Sequence, residues 1–145
     1  MKVKILYKTV KGSTKILADA IAAAVKAKAE AVPPINPCVN EKLIFIGCGV
    51  KKDFPYDEMV DYCNGLDNTK VKNAAVFCTS NKGDNKAEYI LDTLRRKEIN
   101  CVGVFTCPRP SLFSNKDRPN AQDIQDIQKW ALDIADKVFD NSEKE

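Results

Sequence analysis

The chain is predicted to fold as a doubly wound α/β sandwich, a sheet with helices on both faces. Three observations predict it. Short apolar runs recur that are too continuous for strands with one wet face, and they read as buried parallel strands. Helical apolar periodicities alternate with those runs, which implies right-handed crossovers covering both sides of the sheet. A turn rich in hydroxyls and glycine joins the first run directly to the first helical pattern.

Val3-Lys4-Ile5-Leu6-Tyr7 is the first expected strand. The turn Thr9-Val10-Lys11-Gly12-Ser13-Thr14 follows, and then a helix with its stripe at Ile16, Leu17, Ala20, Ile21, Ala24 and Val25. Ala29-Glu30-Ala31-Val32 precedes the breakers Pro33, Pro34 and Pro37, so a short edge strand is expected there, where proline is tolerated. Leu43-Ile44-Phe45-Ile46 is a central strand, followed by a helix carrying Tyr56, Met59, Val60 and Cys63. The pattern repeats with strand Ala74-Ala75-Val76-Phe77-Cys78 and helical Ala87, Ile90, Leu91 and Leu94. It closes with strand Cys101-Val102-Gly103-Val104-Phe105 and helical Ile124, Ile127, Ala131, Ile134 and Val138. Residues 1–145 read as one domain, with a polar tail over 140–145 expected to fray.

Composition narrows the chemistry. At 44% hydrophobic and 30% charged residues the chain has an ordinary globular balance, and no apolar run reaches the roughly 20 residues that span a bilayer. Met1-Lys2-Val3-Lys4 opens a strand and not a secretory apolar region, so a cytoplasmic protein is expected. Six cysteines without a CxxC pair, three of them in or beside apolar strands, read as reduced and mostly buried thiols. The chain has no histidine, which excludes Ser/His/Asp catalysis and most zinc sites. Redox or group-transfer chemistry must therefore come from a bound cofactor, and no catalytic side chain and no metal ligand set is expected. The net charge of +3 is uneven: residues 1–52 carry ten lysines against three acids. Those lysines are dispersed and no aromatics interleave with them, so nucleic acid is not an expected partner.

Residues 9–14 are the leading candidate site. A helix start offers unpaired N–H groups and the positive end of its dipole, Gly12 lets an anion approach the main chain, and Thr9, Ser13 and Thr14 add neutral donors. The alternative is a plain turn in which Ser13 or Thr14 caps the helix.

With strand, turn and helix in that order, the chain resembles the flavodoxins, whose phosphate loop reads roughly Ser/Thr-x-Thr-Gly-x-Thr. Thr9, Gly12 and Thr14 match, and Lys11 stands where threonine is usual, exchanging a hydroxyl for a cation. Gly47-Cys48-Gly49 is similar to the Gly-Cys-Pro/Ser stretch opening the family's flavin-side loop. Arg118-Pro119-Asn120-Ala121-Gln122-Asp123 is similar to a Gly-His-Pro-Asn-x-x-Asp segment before the last helix.

The resemblance spans nearly the whole chain. It implies a flavodoxin-like five-stranded parallel sheet of order 2-1-3-4-5, FMN as cofactor, and loops 9–14, 48–57 and 79–86 converging at the carboxyl ends of the strands. Thr9, Val10, Lys11, Gly12, Ser13 and Thr14 would then hold the phosphate. Cys48, Gly49 and Val50 would approach the ring, with Phe54 and Tyr56 as the stacking aromatics. Thr79, Ser80, Asn81, Gly83 and Asp84 would meet its pyrimidine edge.

Trp130, in the last helix, is expected to pack and not to touch flavin. The long connection 106–114 is a candidate cover or partner contact through Arg109 and Phe113. Flavodoxins generally ring the flavin with acids, whereas this chain places Lys51, Lys52 and Lys82 in the matching loops, which favours a reduced anion and redox partners with an acidic docking face. The implied function is an FMN-binding electron carrier between oxidoreductases. The alternatives are an accessory subunit of a partner reductase with weak or no FMN binding, or a small NAD(P)H- or quinone-dependent FMN reductase.

Overall fold

The computed structural model describes residues 2–139, and the tail 140–145 lies outside the described residues. Along the chain come β1 (Lys4–Lys8), α1 (Ser13–Val25), β2 (Ala29–Ala31), β3 (Ile44–Lys51), β4 (Phe54–Pro55) and α2 (Asp57–Asn64). They are followed by β5 (Asn73–Ser80), α3 (Glu88–Arg96), β6 (Asn100–Pro108) and α4 (Ala121–Val138). Five strands run parallel in the order β2-β1-β3-β5-β6, which is the expected 2-1-3-4-5 path with β5 and β6 as its fourth and fifth members. The strand not foreseen is β4, a two-residue antiparallel partner of β3.

The continuous apolar runs are explained by two core layers. On one face Ile5, Tyr7, Phe45, Ala75 and Phe77 pack with α1 and α4; on the other Leu6, Ile44, Ile46, Cys48, Val76 and Cys78 pack with α2 and α3. Successive residues of each central strand thus enter opposite layers, and neither set can be polar. Trp130 belongs to the first layer, its ring 5.6 Å from that of Phe45 and 5.5 Å from that of Phe105.

Helix ends follow local chemistry. Asp57 and Glu58 sit in the first turn of α2, and Arg95 and Arg96 in the last turn of α3, each complementing the helix dipole. At α4 the Asn120 side chain accepts from the Asp123 N–H at 3.0 Å while the Asp123 carboxylate accepts from the Asn120 N–H at 2.8 Å. Arg118 adds two bonds to the same carboxylate, at 2.6 and 2.7 Å. The segment 118–123 is therefore a helix start that also pins the preceding loop.

Gly47 sets how closely α1 lies on the sheet. A Cβ there would fall 2.4 Å from two ring carbons of Phe77, its register partner on β5, and 2.9 Å from Cγ2 of Thr14. The missing side chain lets the first turn of α1 settle over β3 at the carboxyl end of the sheet.

Candidate functional site

Four loops meet at that carboxyl end. The first is residues 9–14. Gly12 stands at the N-cap of α1 with φ +96°, a conformation costly for any residue with a Cβ, and among the described residues no side chain caps the helix. Its own N–H donates to Thr9 Oγ1 at 3.0 Å, which folds the turn back on itself. Neither Ser13 nor Thr14 spends its hydroxyl on a cap. Thr14 Oγ1 lies 2.8 Å from Thr79 Oγ1 in a buried contact that ties α1 to β5. Gly49 lies between them in the sheet: a Cβ there would come within 3.0 Å of the Tyr56 ring and 3.3 Å of Thr14 Oγ1.

These residues enclose a cleft of about 360 Å³. Thr9, Val10, Lys11, Ser13 and Thr14 form one wall, Gly49 and Tyr56 a second, Thr79 and Asn81 a third, and Arg109, Pro110, Ser111 and Leu112 a fourth. A polar recess of about 240 Å³ adjoins it through Asn81 and Arg109, lined also by Val50, Lys52, Asp53, Ser80, Lys82, Asp84 and Lys86.

The remaining candidates lie elsewhere. Gly12 shapes the first wall without lining it. Cys48 is fully buried in the layer under α2 and α3. Gly83, with φ +73°, packs on Pro108, where a Cβ would come within 2.8 Å. Ser80 and Asp84 face the recess but satisfy each other, the Ser80 hydroxyl donating to the Asp84 carboxylate at 2.9 Å.

Phe54 is 63% exposed and turns its ring to the edge of Tyr89 at 6.3 Å, away from the cleft. The cause is the hairpin. Lys52 and Asp53 both take positive φ, 51° and 70°, in the tight turn joining β3 to β4, and the strand alternation then buries Pro55 and points Phe54 outward. Lys86 holds the hairpin down through Asp53 at 3.6 Å and Asp84 at 3.1 Å. Lys51 is exposed and lines neither cavity.

The fourth wall was legible only as a long connection. It is attached to the loop after β5 by three bonds: Arg109 N–H to the Ser80 carbonyl at 3.0 Å, Arg109 Nε to Asn81 Oδ1 at 3.0 Å, and Asn115 Nδ2 to the Asn81 carbonyl at 2.8 Å. Leu112 and Phe113 stand exposed at its tip, Leu112 on the cleft side. Of the two contacts expected from this connection, Arg109 enters the cleft and Phe113 does not line it. Leu112 and Lys86 carried no sequence signal beyond their position in polar loops.

The charge here is mostly cationic. Asp84 titrates below the usual carboxylate range because the Ser80 hydroxyl and then Lys86 stabilise its anion. Lys86 is thereby engaged, while Lys11, Lys52, Lys82 and Arg109 have no acidic partner within 4.0 Å among the described residues. The thiols are free, and burial pushes Cys107 and Cys63 each up to about 12, which keeps these two unreactive. Among the described residues no cluster of side chains is arranged to hold a metal ion, and no helix is long and apolar enough to cross a membrane.

No protein-family model and no curated protein sequence matches the chain. Solved structures do. A flavodoxin from the domain Archaea superposes with a TM-score of 0.67 at 18% identity, covering 95% of this chain and 99% of its own. A short-chain flavodoxin associated with a non-canonical PDU bacterial microcompartment gives 0.70 at 13% identity, with the same coverage of 95% and 99%. Flavodoxin 2 from Bacillus cereus gives 0.63 at 16% identity over 94% and 99%. The chain therefore has the flavodoxin-like α/β fold, from β1 to the end of α4.

Proposed function

We propose that the chain binds FMN in the 360 Å³ cleft and carries electrons between oxidoreductases. One observation carries this reading: among the described residues no side chain caps the helix start at Gly12, while the hydroxyls of Thr9, Ser13 and Thr14 gather beside it along a cleft with an aromatic wall. That donor set suits a single phosphate, through helix N–H groups and neutral hydroxyls. Lys11 supplies a cation at the same wall.

Tyr56, on the second wall of the cleft, would lie against a flavin ring, and Asn81 would offer an amide to its polar edge. Gly49 leaves the floor open between them. Bound FMN would supply the electron chemistry, which the side chains of this chain do not. The protein would orient the ring and exclude water with Tyr56 and Leu112. The likeness of the fold to flavodoxins supports the same cofactor.

The rim suits a partner protein with an acidic face and an apolar centre. Val10, Leu112 and Phe113 are exposed in the loops that build the cleft, Lys11 lines its first wall, and Lys52 and Lys82 line the adjoining recess. Charge of this sign speeds encounter with an acidic surface and loses that effect as salt rises.

Titration of FMN with the purified chain tests the reading, with flavin fluorescence as the signal. Quenching to saturation at one equivalent is expected, and Gly12→Val should weaken it at least tenfold. A folded chain that leaves FMN fluorescence unchanged refutes FMN binding and favours a docking subunit without flavin. Steady NADPH or NADH oxidation by the flavin-loaded chain alone would instead favour the reductase.

A further inference from the structure

The recess beside the cleft carries more positive charge than its hydrogen bonding requires. Lys86 satisfies Asp53 and Asp84, and the Ser80 hydroxyl completes Asp84. Lys52 and Lys82 remain without an acid within 4.0 Å among the described residues, and so does Arg109, whose Nε is fixed on Asn81 at 3.0 Å. Arg109 is also the residue through which recess and cleft communicate, since it lines both. Among the described residues Val50 is the one apolar side chain lining the recess. The cleft proper, by contrast, offers Tyr56 and Leu112.

We propose that Lys52, Lys82 and Arg109 form an anion-stabilising recess for the pyrimidine edge of the bound flavin, raising its reduction potential above that of the same site without these charges. The inference rests on the FMN reading of the cleft. Polarity decides the orientation: with the phosphate at residues 9–14, the ring carries its amide-like pyrimidine toward the polar recess and its dimethylbenzene part toward the apolar wall. Two electrons from a redox partner or from dithionite, and one proton taken from water, leave the ring with one negative charge shared by N1 and the C2 oxygen. Oxidised flavin carries no such charge. Cations at that edge therefore act on one redox state and not the other, which is what shifts a potential.

Reversing or removing one of these charges should weaken the preference for reduced flavin by about tenfold, equivalent to about 30 mV for a two-electron couple. The midpoint of FMN bound to the full chain is measured by equilibration with redox dyes, for the wild type, Lys52→Glu, Lys82→Glu and Arg109→Gln. Arg109→Lys, which keeps the charge, and Lys28→Glu, at the opposite end of the sheet, are the controls. FMN affinity is recorded for each variant by fluorescence.

Lower midpoints in the first three variants, with both controls near wild type, are expected. Midpoints that ignore those three changes, in proteins that still bind FMN, overturn the inference and leave the cofactor reading standing. An equal fall in Lys28→Glu also overturns it, because net charge and not the recess would then be responsible. If the wild type fails to bind FMN at all, both the cofactor reading and the inference fall.

Discussion

Gly47→Ala is the substitution whose cost follows most directly from the geometry. The added methyl would sit 2.4 Å from Cε2 and Cζ of Phe77 and 2.9 Å from Cγ2 of Thr14, where ordinary contact needs about 3.5–4.0 Å. Phe77 is fully buried and Thr14 nearly so, and neither has solvent to move into. Either the ring or the first turn of α1 must give way by about 1 Å. Overpacking of this kind costs typically 1–3 kcal/mol, and two fully enclosed neighbours place it near the upper end, about 2–3 kcal/mol. In a domain of this size each kcal/mol lowers Tm by roughly 3–4 °C, so a fall of roughly 6–12 °C is expected.

Urea unfolding followed by circular dichroism measures the stability change directly. Phe77→Leu supplies the second arm of a double-mutant cycle. Alone it leaves a cavity and should cost roughly 1–2 kcal/mol; combined with Gly47→Ala it removes the clash, so the pair should cost at least 1 kcal/mol less than the sum of the singles. Additive costs, or a Gly47→Ala variant within 0.5 kcal/mol of wild type, would refute the close seating of α1 on β3. With it would go the argument that this seating positions the 9–14 loop.

Three further outcomes are expected. Replacing Lys52-Asp53 by Asn-Gly, which suits two consecutive positive φ angles, should stabilise the chain by about 1 kcal/mol in urea melts, and a loss of stability would show that the hairpin turn is misassigned. Asp123 is held below its ordinary carboxylate range by Arg118 first and by the Asn120 N–H. Its contribution is therefore complete above the unfolded carboxylate range near pH 4 and lost as pH falls through the lower folded value. Asp123→Asn should cost about 1–2 kcal/mol at neutral pH and converge with wild type in acid, whereas a cost that persists at low pH would deny the charge a role. Finally, a disulfide reagent should titrate the six thiols only slowly in the native chain and promptly in denaturant, because all but the half-buried Cys101 are buried; rapid native reaction of Cys107 would contradict its burial.

The sheet was readable because burial on both faces leaves no room for polar residues in the middles of β1, β3 and β5, and the apolar runs there have no other explanation. The short β2 was readable for the opposite reason, since three residues before a proline cluster can pair only at an edge. β4 was not. Its turn is Lys52-Asp53, which carries none of the glycine or asparagine that ordinarily marks such a hairpin, and its strand is two residues long. That omission put Phe54 in the expected site, because a loop gives no basis for deciding which of Phe54 and Tyr56 points inward, whereas a paired strand does.

The turn at residues 9–14 was legible from its chemistry and its place after β1. The wall at 109–112 depends on hydrogen bonds to a loop nearly thirty residues earlier, and local pattern carries no trace of them. The segment 118–123 was legible as a match to a family pattern. Its reciprocal bonds between Asn120 and Asp123 give that pattern a physical reason, the start of α4.

The threonine couple between α1 and β5 has one property that a lysine or a backbone amide lacks. Of its two hydroxyl hydrogens, one is shared across the 2.8 Å gap and the other is surplus, and either oxygen can play either part. Rotation about two C–O bonds reverses the direction of the pair while every heavy atom stays where it is. A guest can thus be met with a hydrogen from Thr14 or from Thr79 as its own lone pairs require, and the floor of the cavity adjusts its polarity without any rearrangement of the fold.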